Sequence, residues 1–438
     1  ICFSNDADQT GCPVGALLVN NAISFDAAAI EYGCNNSSKR CLFKRGDSFE
    51  ALDIILFEVQ GPTRIGAYGA GPKPLIHGSS HVVQFGEIMD HLDFIDLEIR
   101  GEDEESQKAF QLTEGLQIRD LFLYRVDVRD FDTGFHIRGG TSEFIPSVNV
   151  HRNIALVDNT ILSGAGKSGN DAFLMWEDSL FMGNRVGDKE DGSGTGDGEH
   201  IIRAKFSHGV VYSHNSIGLL TEQTDQDPPI VGCGNIRNVF KLVSGLAEEH
   251  GEAGYSREFI MADNYISSCS LNTGVDVAIM PTSDGNNYEG FQDYIVERNH
   301  FTMKYGGLNS NSKTSLHVVG ANAVVRNNVF DLSSTQLSSN PRGVVVGVRT
   351  PSDNPDLPTN HIRVLGNTFY KSEGSIGNGF GIIIQNHPAV MDNVVFNNLL
   401  FDDVGTATLL MDQSSSTVVC PDCNLRVDTS PFILDHPI

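Results

Sequence analysis

One short pattern recurs along most of this chain and limits what it can fold into: an Asn followed by one residue and then an apolar one. It stands at Asn159 (DNTI), Asn184 (GNRV), Asn215 (HNSI), Asn264 (DNYI), Asn299 (RNHF), Asn328 (RNNVF) and Asn367 (GNTF), with a looser member at Asn398 (FNNLLF). The steps between them are 25, 31, 49, 35, 29, 39 and 31 residues. A short alternating run precedes each Asn, as in HGVVYS, DYIVER and HIRVLG, and second strands such as GFHIRG, HIIRAK, VFKLVSG and GFGIIIQ lie between. Two or three short strands per repeat, broken by Asn and Gly turns, are the pattern of a single-stranded right-handed parallel β-helix. One coil cannot bury its apolar side alone, whereas stacked coils share a continuous core. Asn suits the bend because it tolerates left-handed backbone and its amide can bond along a stack. A β-sandwich gives no reason for Asn to return at the same place in each unit.

The fold class expected is therefore all-β, one solenoid domain over 1–438. Its coils fill 51–411, between an N-terminal cap (1–50) and a C-terminal tail (412–438). Within the cap, the Ala-rich piece from Phe25 to Tyr32 reads as a short capping helix ended at Gly33. Residues 64–78, RIGAYGAGPKPLIHG, read as turns between very short strands. Long insertions at 187–198, 220–235, 244–257 and 281–292 interrupt the rhythm, and on solenoids such loops wall the binding face.

Composition narrows the function. The 438 residues are 40% hydrophobic and 20% charged, enough for a large core, and the net charge is −26. That balance disfavours nucleic acid, whose phosphates require clustered Lys and Arg. No apolar run reaches the length of a membrane-spanning helix. An anionic substrate would need a local basic patch set against the global field. The eight cysteines are even in number and six form close pairs, which favours Cys2–Cys12, Cys34–Cys41 and Cys420–Cys423, with Cys233–Cys269 as a longer link. Disulfides imply a secreted or periplasmic setting. Zinc is the rival reading, although no His accompanies the short pairs. A monomer is the expected state.

The basic patch is sought by superimposing the second strands. Taking Ile137, Met175, Ala204 and Leu242 as inward leaves His136, Arg138, Trp176, Arg203, Lys205 and Lys241 outward. Trp176 would offer a plate for a sugar ring, and the cations would hold an anionic glycan, with Glu177 and Asp178 at the edge. Elimination across a uronate C4–C5 bond needs the carboxylate neutralised, the C5 proton removed and the leaving oxygen protonated. Arg or calcium suits the first task; Lys205, its pKa lowered by Arg203 and Lys241 beside it, or His200 suits the second. The alternative is that these cations form a solvated strand face.

The stretch GEHIIRAKFSHGVVYSHNSI, with VFKLVSG after it, resembles the β-helix polysaccharide lyases of the alginate lyase and chondroitinase B family. The resemblance puts Glu199 and Lys205 at that family's Glu and Lys positions. It implies Lys205 as base, with calcium bridging the substrate carboxylate. The family's Arg-His-Gly is replaced here by Val243, Ser244 and Gly245, which leaves Lys241 or Arg203 to act as the second catalytic group. Independently, the loop from Asp191 through Asp197 to Glu199 alternates oxygen side chains with Gly, a donor set of the kind Ca2+ takes. The same spacing also describes a plain acidic loop. His208 and His214 read as turn residues. Two other functions stay open: a glycoside hydrolase with paired carboxylates among Glu177, Asp178, Asp197 and Glu199, and a non-catalytic glycan-binding β-helix.

Overall fold

In the computed structural model of the chain the Asn series does what its spacing predicts. Asn159, Asn184 and Asn215 form one buried ladder, each amide nitrogen donating to the side-chain oxygen of the next: Asn159 Nδ2 to Asn184 Oδ1 at 2.9 Å, and Asn184 Nδ2 to Asn215 Oδ1 at 3.1 Å. Asn264, Asn299, Asn328, Asn367, Asn398 and Asn424 form a second ladder built the same way. The left-handed backbone, however, falls on the residue before each ladder Asn except Asn424. Asp158, His214, Asp263, Arg298, Asn327 and Asn397 all have φ between 53° and 57°, and Gly183 and Gly366 complete the set. The turn thus separates two roles that the sequence merges: one residue bends the chain and the next bonds along the stack.

The structure describes residues 1–36, 38–52, 55–78, 82–102, 108–112, 117–131, 133–137, 151–162, 171–174, 176–187, 200–205, 207–218, 238–243, 256–270, 277–282, 291–306, 314–333, 340–347, 359–372, 374–375, 377–386, 390–414, 418–419 and 423–427. The chain divides into two compact units, Ile1–Thr221 and Glu222–Ile438. Both are parallel β-helix, with three strand ladders per unit, here called faces A, B and C.

In the first unit, face A runs through Lys108–Leu112, Thr133–Ile137, Asp171–Leu174 and His200–Lys205. Face B runs through Gln117–Tyr124, His151–Val157, Leu180–Met182 and Val211–Ser213. Face C runs through Glu98–Gly101, Asp127–Arg129, Thr160–Leu162, Arg185–Gly187 and Ser216–Gly218. The second unit repeats the plan, with face A from Asn238–Val243 to Thr408–Asp412 and face C from Tyr265–Ser270 to Leu425–Val427. Like residues stack inside: Phe301, Phe330 and Phe369 lie ring on ring at 4.8 and 5.0 Å.

The N-terminal cap contains helix α1 (Phe25–Glu31), with Ser24 as N-cap accepting from the Ala27 N–H. Its buried Phe25 packs on Phe43. Residues 64–68 differ from expectation: they complete a long strand, Ile55–Tyr68, in register with Arg40–Lys44 and Val83–Ile95. Gly66 sits between Leu42 and Ile95, where an added Cβ would come within 3.3 Å of the Ile95 carbonyl, so the glycine serves close packing and not a turn. Cys2–Cys12 and Cys34–Cys41 are disulfides, and Cys423 is disulfide-bonded. Cys233 and Cys420 lie outside the described residues. Among the described residues no helix is long and apolar enough to cross a membrane.

Candidate active site

The corner where face A turns into face B carries the cluster of polar side chains that the first unit places most clearly. Each coil makes this corner with a repeating four-residue step. His151 is buried, Arg152 and Asn153 are exposed, and Ile154 is buried again. Asn153 has φ 56°, and its left-handed backbone resets the alternation so that residues two apart, Arg152 and Ile154, face opposite ways. His91, Asp120, Asp178 and Gly209 hold the same conformation on other coils.

The position just before these left-handed residues forms an outward column. Arg119 pairs in register with Asp90 on one side and Arg152 on the other, Arg152 pairs with Glu177, and Glu177 pairs with His208. Asp90, Arg119, Arg152, Glu177 and His208 therefore stand one above another on five successive coils. At about 4.8 Å per coil the column spans roughly 19 Å, the length of a short stretch of polysaccharide.

Within it, the Glu177 carboxylate bridges two neighbours. Its Oε2 pairs with the Arg152 guanidinium, and its Oε1 lies 3.3 Å from His208 Nδ1. Glu177 and His208 are half-buried at 21% and 28% side-chain exposure, shielded enough to hold geometry and open enough to meet a ligand. Beneath the column, His151 Nδ1 accepts the Ile118 N–H at 3.0 Å. Full burial pushes this imidazole down to about 3, so it is neutral near pH 7 and its remaining proton is on Nε2. That Nε2 has no hydrogen-bond partner. Two coils further, Ser207 Oγ and the Tyr212 hydroxyl meet at 2.8 Å, and burial pushes the phenol up.

Beside this corner, face A gathers part of the expected patch. His136 is half-buried and in register with Gln111 and Ala172, and Ala172 with Arg203. Lys205 pairs with Leu174. Ile137 pairs with Phe173 and not with Met175, a shift of two residues that keeps the faces but moves Trp176 out of the column. Trp176 pairs instead with the buried His151, at the start of face B. For Trp176, His200, Arg203 and Lys205 the structure describes the backbone. Lys241 is half-buried in the second unit, in register with Met280. Arg138, Asp191, Asp197 and Glu199 lie outside the described residues, as does the acidic loop.

Sequence reasoning assigns Glu177 to the edge of the site but passes over Arg152 and treats His208 as a turn residue. The available signal is the repeated pair of a polar residue followed by Asn, Asp or Gly: Arg152-Asn153, Glu177-Asp178 and His208-Gly209. A second polar cluster, Asp90, His91 and Asp120, brings its donor atoms within 4.8 Å of one another. Asn153 Nδ2 donates to Asp120 in the same corner.

No protein-family model and no curated protein sequence matches the chain. Solved structures do. The A-module of the Azotobacter vinelandii mannuronan C-5 epimerase AlgE4 is similar at TM-score 0.54 and 13% identity, over 93% of this chain and 98% of that one. The AlgE6 A-module from the same organism gives TM-score 0.54 and 11% identity, over 93% and 94%. The GH136 lacto-N-biosidase from Eubacterium ramulus gives TM-score 0.50 and 12% identity, over 97% of this chain and 67% of that one. At such identities the likeness is one of fold, and it agrees with the parallel β-helix built from the Asn ladders upward.

Proposed function

We propose that the chain is an exported carbohydrate-active enzyme that cleaves a uronate-containing polysaccharide by β-elimination. The observation that carries this reading is the polar column Arg119–Arg152–Glu177–His208 at the corner beside Arg203 and Lys205: cations, an imidazole and one carboxylate gathered on a chain whose net charge is −26. The names of the similar structures support a carbohydrate substrate, two being mannuronan C-5 epimerases and one a lacto-N-biosidase. The disulfides Cys2–Cys12 and Cys34–Cys41 suit an exported protein.

The chemistry follows from the residue types. A guanidinium from Arg203 or Arg152 neutralises the substrate carboxylate and so favours charge development at C5. Lys205, or His200 at the start of the same strand, takes the C5 proton. The C5–H electron pair becomes the C4=C5 double bond, the C4–O bond breaks, and the leaving oxygen is protonated. The donor set Asp191, Asp197 and Glu199 is oxygen-only, of the type Ca2+ prefers, and a calcium ion there would supply further neutralisation of the carboxylate.

A panel of alginate, pectate and glycosaminoglycans tests the reading. The double bond absorbs in the near ultraviolet, so absorbance and reducing ends should rise together on at least one glycan. Reducing ends without absorbance indicate a hydrolase. Deuterium uptake from D2O at C5 without chain cleavage indicates an epimerase, which shares the proton-removal step. No change on any glycan leaves a binding protein.

A further inference from the structure

We infer that His208 is the group that protonates the leaving oxygen and that Glu177, held by Arg152, is its positioning residue. The inference rests on the elimination reading and adds to it two roles that the sequence resemblance does not supply. Elimination needs a proton donor as well as a base, placed on different atoms of the sugar. The column provides a candidate one coil corner away from Lys205, because His208 follows Lys205 by three residues on the same coil.

The geometry is that of an imidazole oriented by a carboxylate. Glu177 Oε1 lies 3.3 Å from His208 Nδ1, an ion pair when the ring is protonated, and the proton offered to substrate is then the one on Nε2. Glu177 is itself fixed on its other side by Arg152, so three successive coils hold the ring. The backbone adds rigidity, since the Asp178 N–H donates to the His208 carbonyl at 3.0 Å. Gly209 supplies the left-handed turn next to it: a Cβ there would stand 2.8 Å from Asp178 Oδ1. Among the described side chains, the charged groups around the imidazole are Glu177, with Arg152 through its ion pair, and Asp178 on the coil of Glu177.

In the step itself, the imidazolium gives its Nε2 proton to the departing oxygen as the C4–O bond breaks. The ring is left neutral, with its Nδ1 proton still directed at Glu177. Water then returns the proton. A purely structural Arg–Glu–His network would stabilise the corner without any such exchange.

The experiment compares wild type, His208→Ala, His208→Gln and Glu177→Gln on a glycan that wild type cleaves, with unfolding midpoints measured in parallel. His208→Ala should lower kcat about a hundredfold or more with KM little changed. It should also remove one limb of the pH–rate profile and regain part of its activity when imidazole is added to the buffer. Glu177→Gln should lower kcat less and leave both limbs present but displaced. His208 is half-exposed, so the unfolding midpoint should stay within a few degrees of wild type. Wild-type kcat and pH profile in His208→Ala would overturn the assignment while leaving the elimination reading standing. Loss of activity that merely follows loss of folding in both His208 variants would overturn it too. If wild type yields no unsaturated product from any uronate glycan, both fall together.

Discussion

At the scale of single residues, stability is concentrated in groups that bond along the stack. Asn184 is buried and makes bonds in both directions: it accepts from the Asn159 backbone and amide, and donates to the Leu156 carbonyl and to Asn215 Oδ1. Asn184→Ala strands several buried polar groups at once, and each costs about 1–3 kcal/mol when left unpaired. The expected loss is about 3 kcal/mol, read as a lower midpoint in urea unfolding; a loss under 1 kcal/mol would mean that the ladder is not a source of stability. His151 makes a different demand. Its folded form binds a proton only near pH 3, whereas an unfolded His binds one at about 6.5. The stabilising contribution is therefore intact above about pH 6.5 and drains away as pH falls toward 3, because the unfolded state takes up the proton first. His151→Asn retains an acceptor for the Ile118 N–H and should lose less stability than wild type between pH 7 and pH 4.5. Parallel losses in the two proteins would show that His151 does not set the acid sensitivity.

At the scale of elements, packing columns carry the core. Phe330 lies between Phe301 and Phe369, fully buried, and Phe330→Ala should cost about 3–5 kcal/mol in equilibrium unfolding. A cost under 1 kcal/mol would contradict a close-packed stack. These elements also show how far the sequence is readable. The Asn series and the strands between are legible because a buried amide ladder demands one residue type at one place in every coil. HIIRAK and the GFHI that opens GFHIRG fall on face A as their alternation implies. Register is harder: Ile137 meets Phe173, since two apolar residues of equal parity, Phe173 and Met175, satisfy the same pattern. The Arg152–Glu177–His208 column is harder still. Simple alternation breaks at the left-handed Asn153, Asp178 and Gly209, so period-two reasoning assigns the residues before the break to the wrong side. The strand through Gly66 was hidden for a related reason, glycine being read as a turn where it serves close approach.

At the scale of the whole molecule, an acidic chain fastened by disulfides carries, in its first unit, a corner where basic and acidic side chains stand in one column. The disulfides close short loops, with separations of 10 and 7 residues, and Cys2 lies in the strand that pairs with Leu18 and Leu42. Replacing Cys2 and Cys12 together by Ser should cost roughly 2–3 kcal/mol and make the unfolding midpoint less sensitive to reductant than wild type. Equal sensitivity in both proteins would place the reducible constraint elsewhere. Function at this scale reduces to whether the face A and face B corner performs elimination. The most direct measurement is near-ultraviolet absorbance during incubation with uronate polysaccharides, for wild type and for Lys205→Ala, with thermal unfolding of each. The account predicts rising absorbance with wild type, none with Lys205→Ala, and nearly equal unfolding temperatures. Absorbance that never rises with wild type, or rises equally with Lys205→Ala, would contradict it.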